Sequence, residues 1–167
     1  MSSRPANGLP PAGGEHLVGV ISDTHGLLRP QAVAVLSGCE LIVHAGDVGS
    51  PGILGELRRV APVVAVRGNV DVEGWARDLP ETAVAEVGAV RLYVLHDLGR
   101  LDLDPVAAGF GAVIRGHPHI AGIAQRHGVL FVHPGSAGPR RLALPVSVAL
   151  LRIRDGAVAG DIVGLEA

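Results

Sequence analysis

Apolar residues in this chain occur in short uninterrupted runs, most of which end at a turn containing glycine. The first runs cover residues 17–21, 41–43 and 63–66, and continuous runs of this kind are typical of strands buried on both faces. Two segments that follow prolines separate them, and we predict short helices over residues 31–36 and 51–59, with the Ser50 hydroxyl capping the second. This β-α-β-α-β order predicts a parallel sheet with right-handed crossovers.

The pattern changes after residue 80, where strand-like runs follow one another with little helix between them. We predict these strands over residues 82–87, 91–95, 113–115, 120–126, 129–132, 146–154 and 158–163, and a short helical piece at 105–108. Turn pairs such as Gly88 with Ala89, His127 with Gly128 and Asp155 with Gly156 join several of them as hairpins. Two sheets packed face to face, with helices on their outer faces, account for both halves of the chain.

The sequence fits one domain over residues 16–167, preceded by a flexible tail over residues 1–15. The tail is rich in Pro, Gly, Ser and Ala and lacks the apolar centre of a secretory signal. The most apolar later stretch, residues 142–151, is interrupted by Pro145 and is too short to cross a membrane. We therefore expect a cytoplasmic protein that does not enter the membrane.

Composition narrows the choice of function. The net charge is -2 and no dense basic run occurs, so the sequence does not predict a basic surface that would bind a nucleic-acid backbone. The single cysteine, Cys39, excludes an internal disulfide and a zinc site built from cysteines. Trp75, the only tryptophan, is a packing anchor or a subunit contact, which leaves a homo-oligomer open.

Carboxylate, amide and imidazole side chains recur where the predicted strands end. They are Asp23, His25, Asp47, Asn69, His96, His117 and His119. Taken one at a time, such residues are ordinary capping and turn chemistry. Ligands delivered repeatedly by strand ends, however, indicate one shared cleft able to hold two metal ions. Two segments repeat an i, i+2 spacing, and an extended backbone would point both side chains of each pair at one ion.

In this order, Asp-x-His, Gly-Asp, Gly-Asn, a strand-end His and Gly-His-x-His resemble the motifs of the calcineurin-like metallophosphoesterases. The small size and the Pro134-Gly135-Ser136 turn resemble the small bacterial and archaeal phosphodiesterase branch of that superfamily. The resemblance implies an α/β fold, a four-layer α-β-β-α sandwich of two facing mixed sheets with helices on the outer faces.

The resemblance also implies how the ligands divide. One ion would take Asp23, His25, Asp47 and His119, and the other Asp47, Asn69, His96 and His117, so that Asp47 bridges them. Mixed nitrogen and oxygen ligands favour Mn, with Fe, Zn or Ni as alternatives. The implied activity is metal-dependent hydrolysis of a small phosphodiester, with Asp47 positioning a bridging hydroxide for in-line attack on phosphorus.

The position after Asn69 departs from the family pattern, and four other residues are predicted to act beside the metal ligands. Val70 follows Asn69, where many relatives carry a histidine that assists the leaving group. His133 and Arg140 are predicted to contact the substrate. His44 and Asp71 are predicted to orient the metal-binding residues without binding the metal themselves. A phosphomonoesterase, or a protein-binding scaffold on the same fold, remains the alternative function.

Overall fold

The apolar runs fold into ten strands within residues 14–141 and 143–165, the part of the chain that the computed structural model describes. The predicted tail over residues 1–15 lies almost wholly outside that part. The strands are β1 (His16–Ile21), β2 (Leu41–His44), β3 (Val63–Ala65), β4 (Thr82–Val87), β5 (Val90–Leu95), β6 (Ala112–Ile114), β7 (Gly122–Arg126), β8 (Val129–His133), β9 (Ser147–Arg154) and β10 (Ala157–Gly164). The helices are α1 (Pro30–Leu36) and α2 (Pro51–Arg58), with 3-10 helices at Gly74–Asp78 and Leu98–Arg100.

The first sheet has the strand order β10-β9-β1-β2-β3. Strand β1 pairs in parallel with β2, and β2 with β3, as the β-α-β-α-β prediction requires. Strands β9 and β10 extend the sheet in antiparallel fashion, which makes it mixed. Because β1, β2 and β3 are parallel, the loops that follow them leave from the same edge.

The second sheet has the order β4-β5-β6-β8-β7. The hairpins predicted at Gly88, at His127 with Gly128 and, in the first sheet, at Asp155 with Gly156 are all present. Strand β6 lies between β5 and β8 and is parallel to both. The loops after β5, β6 and β8 therefore also meet at one edge of their sheet.

The layers are held together by three apolar clusters. The largest fills the space between the sheets with aliphatic residues such as Val20, Val43, Val94 and Ile114. Helices α1 and α2 cover the outer face of the first sheet. The outer face of the second sheet is covered by the segment over residues 98–110, a 3-10 helix followed by turns. The fold is a four-layer α/β sandwich, as predicted.

Close approach of α1 to the first sheet depends on a glycine in β1. A Cβ atom at Gly19 would lie 2.3 Å from Leu36 Cδ2 and 3.2 Å from the Cys39 sulfur. Both side chains are buried, so neither can move aside without opening the apolar layer. Gly19 therefore sets how tightly the helical layer packs behind the strand that leads into Asp23.

Two local predictions were wrong. The segment at residues 105–108 is a single turn rather than a helix. The Asp104 carboxylate accepts the Val106 N–H at 3.0 Å, and Gly109 leaves the turn with a φ of +81°. Ser50 does occupy the position before α2, but its hydroxyl makes no capping hydrogen bond. Within the described residues, no helix is both long enough and apolar enough to cross a membrane.

Candidate metal centre

All seven predicted ligands lie in loops that follow strands at adjoining edges of the two sheets. Asp23 and His25 follow β1, Asp47 follows β2 and Asn69 follows β3. His96 directly follows β5, and His117 and His119 follow β6. The facing sheets thus bring together five loops that are far apart in sequence.

Backbone hydrogen bonds fix these loops to one another. The Asp23 N–H donates to the Gly46 carbonyl at 3.0 Å, and the His25 N–H donates to the Asp47 carbonyl at 2.9 Å. The Gly116 N–H donates to the His96 carbonyl at 3.0 Å. The main chain that carries the side chains is therefore held in place before any ligand binds.

The prediction that the two i, i+2 pairs are extended was wrong. Among the described residues, seven non-glycine residues have positive φ, and five of them are predicted ligands: Asp23, His25, Asp47, His117 and His119. The left-handed region costs an ordinary residue on the order of 1–2 kcal/mol, and such strain tends to be kept where function requires it. Asp23 and His25 nevertheless belong to one group of neighbouring metal-ligating atoms.

Each buried carboxylate is held by one oxygen and presents the other to the histidines. The Oδ2 atom of Asp23 accepts the Ser22 hydroxyl at 2.7 Å and the His117 N–H at 3.3 Å. Its Oδ1 atom lies 3.4 Å from His119 Nε2 and 3.8 Å from His25 Nε2. Asp23, His25 and His119 form one compact group of metal-ligating atoms.

Asp47 follows the same plan. Its Oδ1 atom accepts the Val70 N–H at 3.0 Å, while Oδ2 lies 3.2 Å from His96 Nε2 and 3.6 Å from His25 Nε2. One carboxylate oxygen thus contacts a histidine from each of the two predicted ligand sets. Asp47, Asp23 and His96 form a second compact group.

Asn69 and His117 lie at the open side of this second group. The Asn69 amide nitrogen is 3.3 Å from His117 Nδ1, and the His117 and His96 rings are 5.2 Å apart between centroids. Both residues are exposed, unlike the buried Asp23, Asp47 and His96. The five inner ligands therefore form one connected group, and the remaining two are next to it at the solvent boundary.

Buried atoms of this cluster are without hydrogen-bond partners. They include Asp23 Oδ1, His25 Nε2 and His96 Nε2, all of which face the same space. Leaving a buried polar atom unpaired costs about 1–3 kcal/mol, so natural proteins rarely do so without a reason. Carboxylate oxygens and imidazole nitrogens are donors that suit Mn, Fe, Zn and Ni. The residues present fit a site for divalent cations.

The orientation of the His96 ring also suits the binding of a divalent cation. Its Nδ1 atom lies 2.8 Å from the Ala45 carbonyl oxygen, which can only accept a hydrogen bond. In the neutral ring the proton is therefore on Nδ1, and the Nε2 lone pair faces the two aspartates. A backbone carbonyl thus selects the tautomer that a metal ion needs.

The side chains of the cluster differ in the direction in which their pKa values are shifted. Burial lowers the pKa of His25 and of His119, which keeps both rings neutral, as ligands must be. Burial opposes ionisation of Asp47, but a protonated His96 and the Val70 N–H outweigh it and lower the pKa of Asp47 to about 2. Binding of a metal ion would require His96 to lose that proton from Nε2. Burial raises the pKa of Asp23, and a cation beside it would act in the opposite direction by favouring the charged form.

Sequence comparison places the chain in a known family. A model of the calcineurin-like phosphoesterase superfamily domain matches residues 17–156. The chain belongs to the calcineurin-like phosphoesterase superfamily. The family prediction is confirmed, and the matched span contains all seven predicted ligands of this phosphoesterase domain.

Individual relatives agree with that assignment. The chain is 37% identical over 149 residues to a probable metallophosphoesterase of Methanothermobacter thermautotrophicus, covering 82% of this chain and 86% of the relative. Its fold matches an archaeal phosphodiesterase with a TM-score of 0.72 at 22% identity, over 88% and 99% of the two chains. It also matches Entamoeba histolytica Vps29 complexed with Zn2+, with a TM-score of 0.68 at 25% identity, over 90% and 99%.

Asp71 and His44 of the phosphoesterase domain support the ligand loops without joining the cluster. The Asp71 carboxylate accepts the backbone N–H groups of Val48, Gly49 and Gly68 at 2.9–3.0 Å. His44 is fully buried between the Gly46 N–H and the Thr24 hydroxyl, and burial lowers its pKa to about 4. The sequence indicated a supporting role for both residues, but only the structure shows that Asp71 accepts three backbone hydrogen bonds.

Ser22 was missed by sequence reasoning. Its hydroxyl donates to Asp23 Oδ2, and the Ser136 hydroxyl donates to the Asp23 carbonyl at 3.1 Å. Both serines are buried. The available signal was a polar residue directly between a buried strand and a predicted ligand, and the Pro-Gly-Ser turn that carries Ser136.

His133 and Arg140, the predicted substrate-binding residues, are less closely tied to the cluster. His133 is only 2% exposed, and its Nδ1 accepts the Gly135 N–H at 2.9 Å. Arg140 is exposed; the positive charge of its neighbour Arg141 adds to burial in lowering the pKa of His25 and His119. Of the two arginines, Arg141 is the one whose charge acts on these two histidines.

Gly68 allows the β3 loop to pass directly against Asp47, and its replacement by alanine is expected to damage the site. A Cβ atom there would lie 2.2 Å from Asp47 N and Oδ1. We expect Gly68→Ala to weaken metal binding at least tenfold and to lower the free energy of unfolding by about 2 kcal/mol. Calorimetric metal titration and chemical denaturation measure both.

Gly55→Ala is the matched control, because a Cβ atom at Gly55 in α2 meets nothing within 4 Å. We expect this variant to gain up to about 1 kcal/mol from helix propensity and to bind metal normally. Wild-type stability and metal affinity in Gly68→Ala would show that the loops are not packed as described.

Proposed function

We propose that this member of the superfamily is a metal-dependent phosphodiesterase that works with two divalent cations, with Mn as the preferred metal. The observation that carries the proposal is the set of unpartnered buried atoms of Asp23, His25 and His96, which face one space at the meeting edges of the sheets. The first cation would be held by Asp23, His25, Asp47 and His119, and the second by Asp47, Asn69, His96 and His117.

The protein's own part in the reaction is to hold and orient these groups. When bound, two divalent ions supply Lewis acidity that activates water and stabilises charge on a phosphoryl group. Asp47 Oδ2 lies between His25 and His96, which supports its proposed place as the shared ligand. Asp71, Ser22 and the Ala45 carbonyl keep ligand loops and rings in position, so little reorganisation is needed during reaction.

A diester substrate agrees with the charge of the site. Two divalent cations bring four positive charges and the two aspartates return two, so an anionic ester is attracted. The fold match to an archaeal phosphodiesterase favours a diester over a monoester. Parallel assays with bis(p-nitrophenyl) phosphate and p-nitrophenyl phosphate separate the two substrate classes.

The position after Asn69 governs which diesters react. Val70 is 48% exposed, so a histidine in its place would have room at the solvent boundary, whereas valine cannot donate a proton. We expect kcat of the wild type to fall steeply as the leaving-group pKa rises across a series of aryl and alkyl diesters. Val70→His should raise kcat for alkyl leaving groups by about tenfold or more, because general acids contribute roughly 100-fold or more where well placed.

Val84→His is the matched control, since Val84 is 46% exposed on β4, outside the cluster. It should leave the dependence on leaving-group pKa unchanged. A wild-type rate that does not depend on leaving-group pKa would contradict the proposed consequence of Val70.

A protein-binding scaffold is the second candidate. Val70, Val72 and Ile120 are 48%, 79% and 60% exposed and lie close in sequence to predicted ligands. Apolar side chains in such places favour contact with another molecule, and the fold also matches Vps29. The scaffold alternative requires that wild type cleaves no phosphoester with Mn, Fe, Zn or Ni.

A further inference from the structure

A cavity of ≈ 490 Å³ adjoins the candidate metal centre on the side of the second sheet. Asn69 and His96, two of the predicted ligands, form part of its wall. Pockets that hold small molecules commonly measure about 300–1,000 Å³. The cavity is therefore large enough for one substituent of a phosphodiester whose phosphate is bound at the metal centre.

The rest of the wall is unusually rich in charged groups of both signs. It contains two arginines, Arg67 and Arg100, and three carboxylates, Glu81, Asp97 and Asp102. Three negative charges against two positive ones leave a net charge of -1. A further phosphate group would be repelled here, although the neighbouring metal centre attracts an anion.

Some of these charged groups are already engaged within the protein. Arg67 lies 3.4 Å from Glu81, and the Asp97 carboxylate accepts the Gly99 N–H at 2.9 Å. Arg100 and Asp102 are exposed, and neither forms an ion pair within the described ranges 14–141 and 143–165. The guanidinium of Arg100 can therefore donate hydrogen bonds to a ligand, and the carboxylate of Asp102 can accept them.

Neutral hydroxyl groups match this wall best, because each hydroxyl can accept from a guanidinium and donate to a carboxylate. An alkyl or aryl group would displace water from Arg100 and Asp102 without replacing its hydrogen bonds. On the basis of the function proposed above, we propose that the cavity binds one ester group of the substrate, and that this group is a neutral polyol such as glycerol or a sugar. Arg100 and Asp102 are its specificity-determining residues.

The binding test compares two diesters that differ only in two hydroxyl groups, glyceryl methyl phosphate and propyl methyl phosphate. Calorimetry on protein purified without chelator should show the glyceryl compound binding about tenfold tighter or more. Arg100→Ala and Asp102→Ala should each remove most of that difference. Arg58→Ala, at an exposed position on α2, should keep it. Equal affinities in wild type, or a preference that survives in both cavity variants, would overturn the proposal.

A kinetic test separates this proposal from the proposed function. Glyceryl and propyl p-nitrophenyl phosphate carry the same leaving group, and the glyceryl ester should have the higher kcat/KM in wild type by about tenfold. Hydrolysis of both at equal rates would leave the phosphodiesterase standing and overturn the polyol site. A glyceryl binding preference without hydrolysis by any metal form would support the polyol site and overturn the phosphodiesterase.

Discussion

Asp47→Asn is expected to reduce kcat/KM for bis(p-nitrophenyl) phosphate by about 1,000-fold or more, which corresponds to roughly 4 kcal/mol of transition-state stabilisation. A single oxygen of this carboxylate, Oδ2, contacts a histidine of each predicted ligand set, His25 at 3.6 Å and His96 at 3.2 Å. Asparagine keeps the size of the side chain but removes its charge and one of its two acceptor oxygens. Two neighbouring cations would then lack their shared anionic ligand.

Metal content and activity should be measured on the same preparation of Asp47→Asn, reconstituted with Mn, Fe, Zn or Ni. We expect the variant to bind fewer ions per chain than the wild type. It should remain folded, since the amide oxygen of asparagine can still accept the hydrogen bond from the Val70 N–H. Asp78→Asn, at an exposed position in the 3-10 helix Gly74–Asp78, is the control and should behave as wild type. Wild-type metal content and activity in Asp47→Asn would remove Asp47 from the centre.

Asp71→Ala should cause the largest loss of stability among single substitutions at the site, about 3–5 kcal/mol. The carboxylate is 1% exposed and accepts three backbone N–H groups, from Val48, Gly49 and Gly68. Alanine would leave one buried donor, the Val48 N–H, and two partly buried donors without their partner. A loss of this size lowers the melting temperature of a chain of this length by roughly 10–15 °C.

Metal affinity should fall with stability in this variant, because Val48 follows Asp47 and Gly68 precedes Asn69. Thermal unfolding with and without added metal measures both effects. Asp104→Ala is the control: Asp104 Oδ1 also accepts a backbone N–H, from Val106, but at an exposed position, so its loss should cost no more than about 1 kcal/mol. If Asp71→Ala unfolds at the wild-type temperature, the three bonds do not hold the loops together.

Much of the fold could be predicted because local patterns agree with the tertiary structure. Continuous apolar runs marked β1, β2 and β3 as parallel strands, although β3 is a half-buried edge strand rather than one buried on both faces. Turn residues at Gly88, Gly128 and Gly156 marked three hairpins. Local reasoning was wrong at residues 105–108, where a helical pattern gives a single turn. There the deciding contacts are the Asp104 side chain and the burial of Phe110 against Tyr93.

The identities of the predicted metal ligands were available from the sequence alone, because each follows a recognisable strand and their order along the chain is that of a family. What the sequence could not give was their conformation. Asp23, His25, Asp47, His117 and His119 all have positive φ angles. The loops that carry them are tied to loops of other strands, as by the Asp23 N–H to the Gly46 carbonyl and the His25 N–H to the Asp47 carbonyl, and no window of residues contains both partners.

The sequence by itself determined which side chains are available and at which strand ends they lie, since alternation, turns and motif order are local properties of the chain. The tertiary structure alone decided that one oxygen of each aspartate is held while the other faces the histidines. It also decided that Asp71 joins three backbone donors and that charges from residues 67–102 line one cavity. These are contacts between segments far apart in sequence, and they exist only once the two sheets have packed face to face.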